Sequence, residues 1–266
     1  MPRATKVFLI LYTTVLLITV YWFSPFYLLN FDQVEESRDG VVLSEKNFSH
    51  VVAKNRHVMV DFYAPWSYYS QQLAPEYALA ARELKGKVVL AKVNAYEEKV
   101  LKIKYRAQGH PNIFFFVGGV KVDSYTNARK RDAIVKWTKT KISQGVYTIK
   151  SIEQAEQLLM AQFTVVLAFM DSLKGPDSEE VAAASKLHTD VIFYQAISAD
   201  VAKAFQFEQE IESPALILRE KESQHLSHFS GPFIKYAIAD FVSVNKLPPE
   251  SVIGREIFRK TDLKLV

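Results

Sequence analysis

The chain has 266 residues, of which 49% are hydrophobic and 23% charged, a composition typical of folded domains that excludes an intrinsically disordered protein. The formal net charge is +4 and the basic residues are scattered, so the sequence does not indicate a nucleic-acid-binding protein. The chain contains no cysteine, which excludes dithiol catalysis by this chain alone.

An apolar segment at residues 1–31 comes first. Arg3 and Lys6 precede its apolar part, Val7–Leu29, and no charged residue follows until Asp32. A bilayer-spanning helix needs about 20 apolar residues, whereas a cleaved signal peptide has about 7–15. The segment is therefore predicted to be an uncleaved signal anchor; a cleaved signal peptide and a buried soluble helix are the alternatives.

The charges around this segment predict an orientation. Because the positive residues precede it, the positive-inside rule predicts a single-pass protein with a cytosolic N-terminus and lumenal domains. Asn47 begins an N-x-Ser sequon and is the predicted glycosylation site, in agreement with a lumenal location. The alternative is that Asn47 lies on a helix and stays unmodified.

Strands and helices alternate in the next part of the chain. Apolar runs predict strands at Val58–Tyr63, Val88–Val93, Asn112–Val117 and Val122–Tyr125, and Gly118-Gly119 predicts a hairpin between the last two. Helical spacing predicts helices at Leu73–Leu84, Glu97–Tyr105 and Asp132–Ile142. This order predicts an α/β fold with a mixed sheet.

A second set of elements follows from about Val146 to Val244. Strands are predicted at Thr164–Met170, Val191–Ala196 and Ala215–Leu218, the last directly after Ser213-Pro214. Helices are predicted at Ile152–Met160, from an N-cap at Asp177 to about Leu187, and from Gly231-Pro232 to Val244. His225 and His228 have no third ligand nearby, so no metal site is predicted.

Several motifs of the first set occur in a recognisable order and spacing. They are Phe62-Tyr63-Ala64-Pro65-Trp66, Leu73-Ala74-Pro75-Glu76-Tyr77, Ala91-Lys92-Val93-Asn94-Ala95, His110-Pro111-Asn112 and Val135-Lys136-Trp137. Together they resemble the protein disulfide isomerases and thioredoxins over roughly Val41–Ile142. The resemblance implies two tandem thioredoxin-like domains with mixed central sheets, preceded by an N-terminal hydrophobic helix.

The same resemblance implies the domain limits. They are a thioredoxin-like domain with a degenerate active site at 32–143, a second, redox-silent thioredoxin-like domain at 144–245 and a linker-like tail at 246–266. The family has two cysteines flanking a dipeptide after the tryptophan, and this chain has Ser67 and Ser70 at those positions. Since a serine hydroxyl cannot form a disulfide, no catalytic residue, no cofactor and no dithiol oxidoreductase activity are expected.

Other positions of the family's redox site are retained. The resemblance assigns Asp61 and Lys92 to a buried acid–base pair, Arg129 to the arginine beside the second cysteine, and Pro111 to a cis-proline loop. Burying a carboxylate is costly unless it is paired. We therefore expect Asp61 and Lys92 to form a structural pair without catalysis.

The resemblance also implies a function. The predicted polypeptide-binding groove consists of Trp66, Tyr68, Tyr69, His110 and Pro111, because exposed aromatic side chains favour binding. The expected protein is a redox-inactive, isomerase-like chaperone or adapter of the endoplasmic reticulum. Its partners would be unfolded or client polypeptides of the secretory pathway and, through the N-terminal helix, a membrane.

Two alternatives remain at this point. One is an enzyme of another class with Ser67 as nucleophile or Asp61 as acid–base residue, although no histidine lies near Ser67 in the sequence. The other is a truncated, non-functional isomerase copy.

Overall fold

The computed structural model describes residues 36–37, 40–197, 201, 205 and 213–247. The predicted anchor at residues 1–31 and the tail after Leu247 lie outside these ranges. Within them, no helix is both long enough and apolar enough to cross a membrane.

The first sheet is mixed, as predicted. Its strands are β1 (Glu36–Ser37), β2 (Gly40–Leu43), β3 (His57–Tyr63), β4 (Val89–Asn94), β5 (Asn112–Val117) and β6 (Val120–Tyr125), in the order β1-β2-β4-β3-β5-β6. Strands β2, β4 and β3 are parallel, whereas β5 and β6 are antiparallel to their neighbours. The helices of this part are α1 (Phe48–Lys54), α2 (Tyr68–Leu84), α3 (Lys99–Lys104) and α4 (Arg131–Ile142).

Helices cover both faces of this sheet, which explains the almost continuous apolar sequence of β3. On one face, Met59 packs in a buried cluster with Leu73 and Tyr77 of α2. On the other face, aromatic rings pack around Phe62 at centroid distances of 6.2 Å to Phe48 and 5.4 Å to Phe114. Since side chains alternate along a strand, Asp61 lies on the same face as Met59, towards α2.

The second sheet repeats the order of the first. Its strands are β7 (Val146–Thr148), β8 (Val165–Phe169), β9 (Ile192–Ala196), β10 (Ala215–Arg219) and β11 (Leu226–His228), in the order β7-β9-β8-β10-β11. This order corresponds strand by strand to β2-β4-β3-β5-β6, with the same directions. Its helices are α5 (Ile152–Leu159), α6 (Pro176–Ser185) and α7 (Lys235–Asn245).

The two sheets also share a cis peptide bond before a proline. The His110-Pro111 bond is cis, as predicted, and the Ser213-Pro214 bond is cis as well. The first precedes β5 and the second precedes β10. The two cis bonds therefore lie at equivalent positions of the two sheets.

The two sheets share a buried core. One hydrophobic cluster contains Phe115 of the first sheet together with Val165 and Ile217 of the second. The Tyr194 hydroxyl donates a hydrogen bond to the Val117 carbonyl at 2.8 Å, and the Arg56 guanidinium donates to the Val191 carbonyl at 2.9 Å. Apolar packing and hydrogen bonds therefore both hold the sheets together.

One predicted helix cap is wrong. Helix α6 begins at Pro176 with Gly175 as its N-cap, whereas the sequence predicted Asp177 for that position. Proline suits the first position of a helix because its missing N–H would have no partner there. Asp177 lies inside the first turn, where its negative charge faces the positive end of the helix dipole.

Candidate functional site

Ser67 caps the helix that follows β3. Its hydroxyl accepts a hydrogen bond from the Ser70 backbone N–H at 3.4 Å and donates one to the His110 carbonyl at 3.1 Å. Serine is a favoured N-cap residue because its side chain satisfies a free N–H of the first turn. The first replaced cysteine position therefore connects α2 to the cis-proline loop.

Ser70 is buried one turn later. Its hydroxyl accepts a hydrogen bond from the Ala64 backbone N–H at 3.4 Å. The nearby His110 ring directs Nδ1 to the Phe62 carbonyl at 3.4 Å. In the described part of the chain, neither Ser67 nor Ser70 is hydrogen-bonded to a histidine ring.

Three aromatic side chains at the start of α2 are exposed. Trp66, Tyr68 and Tyr69 expose between 59% and 67% of their surface. The Trp66 ring contacts Tyr96 edge-on, with a centroid distance of 4.5 Å. The Tyr69 ring lies 5.6 Å from Tyr68 and carries the Arg129 guanidinium at 5.0 Å from its centre. These contacts hold the rings at the surface.

The cis-proline loop adjoins these rings. His110 and Pro111 are half-buried, and the His110 carbonyl contacts Ser67. A shallow cavity of about 370 Å³ begins at Pro111 and is lined further by Ile113, Tyr125, Asn127 and Arg129. Arg129 contacts the Tyr69 ring and also lines the cavity that begins at Pro111. Tyr69 and Pro111 therefore lie in the same region of the structure.

Asp61 lies beneath α2 and is 5% exposed. Its Oδ1 atom is buried without a hydrogen-bond partner. Burial raises the pKa of Asp61 to about 7, against an ordinary value of 3.8, although the positive charges of Arg129 and Lys92 act in the opposite direction. The loss of hydration on burial therefore changes the pKa of Asp61 more than the two positive charges do.

The expected buried pair needs a correction. Asp61 and Lys92 are in register on the neighbouring strands β3 and β4, but Lys92 is only half-buried, whereas the resemblance implied that both are buried. The salt bridges of the described residues do not include one between these two side chains. Lys92 therefore acts on Asp61 through space.

A cavity of about 560 Å³ lies beside Asp61. Asp61, Ser70, Tyr63, Arg82 and Lys92 supply its polar lining, and apolar residues of α2 supply the rest. Within the described ranges, no group of three or more histidine, aspartate or glutamate side chains could hold a metal ion. His225 and His228 are exposed.

Asn47 is the N-cap of α1. Its Nδ2 atom, which would carry a glycan, donates a hydrogen bond to the Val42 carbonyl at 3.3 Å, and its Oδ1 accepts one from the Ser44 N–H at 2.8 Å. The asparagine amide therefore holds the turn before α1. Glycosylation of Asn47 stays a prediction.

Tyr96 is a site residue that the sequence motifs did not reveal. Strands β3 and β4 are parallel, with Tyr63 paired to Asn94 at their ends. Segments that follow neighbouring parallel strands begin at the same edge of a sheet. Because Trp66 and Tyr96 each follow such an end within three residues, the strand pattern could have predicted that they are close.

The sequence is similar to the thioredoxin family model and to known protein disulfide isomerases. Residues 39–140 match the family model described as Thioredoxin. Over 222 residues the chain is 47% identical to Protein disulfide isomerase-like 1-4 of Arabidopsis thaliana, covering 83% of this chain and 37% of that protein. The chain contains a thioredoxin domain and resembles the protein disulfide isomerases.

Animal members of the protein disulfide isomerases are similar as well. The chain is 35% identical over 219 residues to Protein disulfide-isomerase of Gallus gallus, covering 80% of this chain and 42% of that protein. The solved first thioredoxin domain of mouse Protein disulfide-isomerase A4 is 33% identical, with a TM-score of 0.38, and the match covers 41% of this chain and 81% of that domain. The chain spans about two fifths of the length of the curated relatives it matches.

Proposed function

We propose that this chain is a redox-inactive, isomerase-like protein that binds unfolded or partner polypeptides as a chaperone or adapter. The observation that carries the proposal is the exposed aromatic group of Trp66, Tyr68 and Tyr69 at the position of the family's redox site. We name these three residues the aromatic surface. Aromatic side chains have large areas to bury, so a polypeptide that covers them gains hydrophobic free energy.

The two serine hydroxyls that replace the family's thiols support binding without redox chemistry. Ser67 and Ser70 form the hydrogen bonds that hold the start of α2 and its neighbouring loop. The aromatic surface is therefore presented from a rigid helix start. A fixed surface loses less conformational entropy on binding than a mobile loop would.

We propose the following organisation for the whole chain. Residues 32–143 form the thioredoxin-like domain with the degenerate site, 144–245 form the second, redox-silent domain and 246–266 form a linker-like tail. The repeated strand order of the two sheets supports the division between the first two. Because the sheets share a core, the two domains would move as one body.

We propose a location in the endoplasmic reticulum, with residues 1–31 as a single-pass anchor and the domains in the lumen. The resemblance to protein disulfide isomerases and the charge pattern around the apolar segment support this proposal. Protease protection of microsomes that contain the full chain tests it. Lumenal domains resist protease until detergent is added, whereas digestion in intact microsomes would contradict the proposed topology.

Binding of a permanently unfolded polypeptide tests the proposed function. Fluorescently labelled, carboxymethylated lactalbumin is titrated with the full chain and with the triple variant W66A/Y68A/Y69A. We expect the triple variant to bind at least about tenfold more weakly, because buried tryptophan and tyrosine side chains commonly dominate binding energies. Equal affinity of the triple variant and the unchanged chain would contradict the proposal.

Tyr236 supplies a matched control. It is 69% exposed on α7 and has Lys235 over its ring at 4.8 Å, much as Tyr69 has Arg129. The variant Tyr236→Ala removes a similarly exposed aromatic ring from the second part of the chain. It should leave the affinity for lactalbumin unchanged, and thermal unfolding of each variant verifies that it is folded.

A further inference from the structure

Besides the aromatic surface, an exposed apolar stripe lies on α3 and the turn before it. Tyr96, Val100 and Ile103 expose 59%, 60% and 75% of their surface. We name these three residues the α3 stripe. Leu101 and Tyr105 of the same segment are buried against the sheet.

Helix geometry explains why the α3 stripe faces solvent. Successive residues of an α-helix are rotated by about 100° around its axis. Leu101 and Tyr105 therefore lie on one side, which is buried, while Val100 and Ile103 lie on the opposite side. A surface helix normally has polar residues on its solvent side, so two apolar residues there need an explanation.

Positive charges flank the α3 stripe along the helix, whereas acidic side chains lie at its start, where the Glu45 carboxylate accepts a hydrogen bond from the Val100 N–H at 3.2 Å. Lys99 and Lys104 are exposed and Lys102 is half-exposed, and none of them takes part in a salt bridge of the described residues. Arg106 follows the helix and lies 3.8 Å from Glu153, with both side chains exposed. Such an exposed pair contributes little, so these cations are available to carboxylates of a partner.

The α3 stripe is continuous with the aromatic surface. The Trp66 ring contacts the Tyr96 ring at 4.5 Å between centroids, so these two residues connect the start of α2 with the start of α3. Tyr96 follows β4 just as Trp66 follows β3. A polypeptide that covers the aromatic surface can therefore reach the start of α3 over Tyr96, beyond which Glu97 and Glu98 precede Val100.

We propose that the α3 stripe is a docking surface for polypeptide segments that combine apolar with acidic side chains. The apolar side chains of the segment cover Val100 and Ile103, and its carboxylates approach Lys99, Lys102 and Lys104. This inference rests on the proposed function, because the segment belongs to the polypeptide held at Trp66. It adds a charge preference that the aromatic surface alone does not provide.

The contact between Trp66 and Tyr96 favours a polypeptide over a lipid surface, because it joins the α3 stripe to the surface that is proposed to bind polypeptides. The lysines of α3 would also attract an anionic membrane, so vesicles of an anionic lipid are the alternative that the experiment has to exclude.

Three peptides of equal length test the charge preference. They share the same leucine and phenylalanine residues and differ only in carrying glutamate, lysine or glutamine between them. We expect the full chain to bind the glutamate peptide at least about tenfold more tightly than the lysine peptide at low salt, and the difference to shrink as salt is added. Equal affinities for all three peptides would overturn the proposal.

Two variants locate the effect. V100S/I103S should weaken binding of the glutamate peptide about fivefold or more, and K99E/K102E/K104E should reverse the preference between the charged peptides. The control Val244→Ser changes an apolar residue of α7 that is exposed to a similar extent and should have no effect. The proposal would be overturned if both stripe variants kept the preference for the glutamate peptide over the lysine peptide. It would also be overturned if phosphatidylserine vesicles displaced the glutamate peptide from the chain.

The glutamine peptide separates this inference from the proposed function. If W66A/Y68A/Y69A no longer binds the glutamine peptide but the stripe variants do not alter the preference between the charged peptides, only the inference about the α3 stripe is wrong. If W66A/Y68A/Y69A keeps all three peptides at unchanged affinity, the proposed function fails.

Discussion

At the scale of the residue, Asp61 is an ionisable side chain buried beneath α2. It is a carboxyl group with one oxygen buried and unpartnered, and the nearest cations only partly offset its desolvation. The resemblance assigned Lys92 and Arg129 to its surroundings, and the positive charges of both act to lower the pKa of Asp61. The half-burial of Lys92 could not be predicted, because it depends on how closely α2 covers β4 rather than on sequence spacing.

The pH dependence of stability tests this description of Asp61. Burial raises the pKa of Asp61 in the folded chain to about 7, above its ordinary value of 3.8. The folded state therefore holds a proton that the unfolded state releases, so the contribution of Asp61 is fully present below the ordinary value and is lost as the pH rises through 7. Between pH 5 and pH 8 the free energy of unfolding should fall by about 2–3 kcal/mol on this account.

The variant Asp61→Asn removes the titration and supplies the control. It should be more stable than the unchanged chain at pH 8, and the difference should shrink at pH 5. Urea denaturation at both pH values measures this. A difference that is the same at pH 5 and pH 8 would show that Asp61 is ionised in the folded chain at both.

At the scale of the element, the start of α2 was predicted only in part from the sequence. Helical spacing predicted α2 only from Leu73, yet the helix begins at Tyr68. The residues Tyr68–Ser70 have no helical preference of their own, and the Ser67 cap fixes their conformation. The short strands β7 and β11 were not predicted either, because three residues form a strand only when a neighbouring sheet edge pairs with them.

The double variant S67C/S70C tests whether α2 retains the geometry of a dithiol site. Residues three apart at a helix start are neighbours, and a helix N-terminus stabilises a thiolate. We expect the two cysteines to form an intramolecular disulfide in oxidised glutathione, seen as loss of both free thiols without a mass increase from glutathione. Ser67→Cys alone should instead retain a thiol or a glutathione adduct, and two unreacted thiols in the double variant would contradict retained geometry.

At the scale of the whole molecule, the turn between β5 and β6 fits closely against β9. Gly118 lies in this turn with a φ of 50°. A Cβ atom there would lie 2.7 Å from Ile192 Cδ1 and 3.3 Å from Tyr194 Oη. The hairpin that Gly118-Gly119 predicted is therefore also a contact between the sheets, which local sequence signals do not reveal.

Alanine at Gly118 tests this contact. Gly86→Ala is the matched control, because Gly86 has a φ of 80° but no atom within 4 Å of the added Cβ. Gly86→Ala should cost about 1 kcal/mol for the left-handed backbone, and Gly118→Ala should cost about 1–3 kcal/mol more for the contact. Urea denaturation compares them; equal losses would mean that the sheets are not closely packed at this turn.

Photocrosslinking from the aromatic surface tests the central claim most directly, namely that polypeptides bind where the family has its dithiol. p-Benzoylphenylalanine is placed at position 69 or, as a control, at the similarly exposed aromatic position 236 of the full chain, and each protein is irradiated with labelled carboxymethylated lactalbumin. We predict strong adducts from position 69, suppressed by excess unlabelled lactalbumin, and weak adducts from position 236. Equal yields from the two positions would contradict the claim.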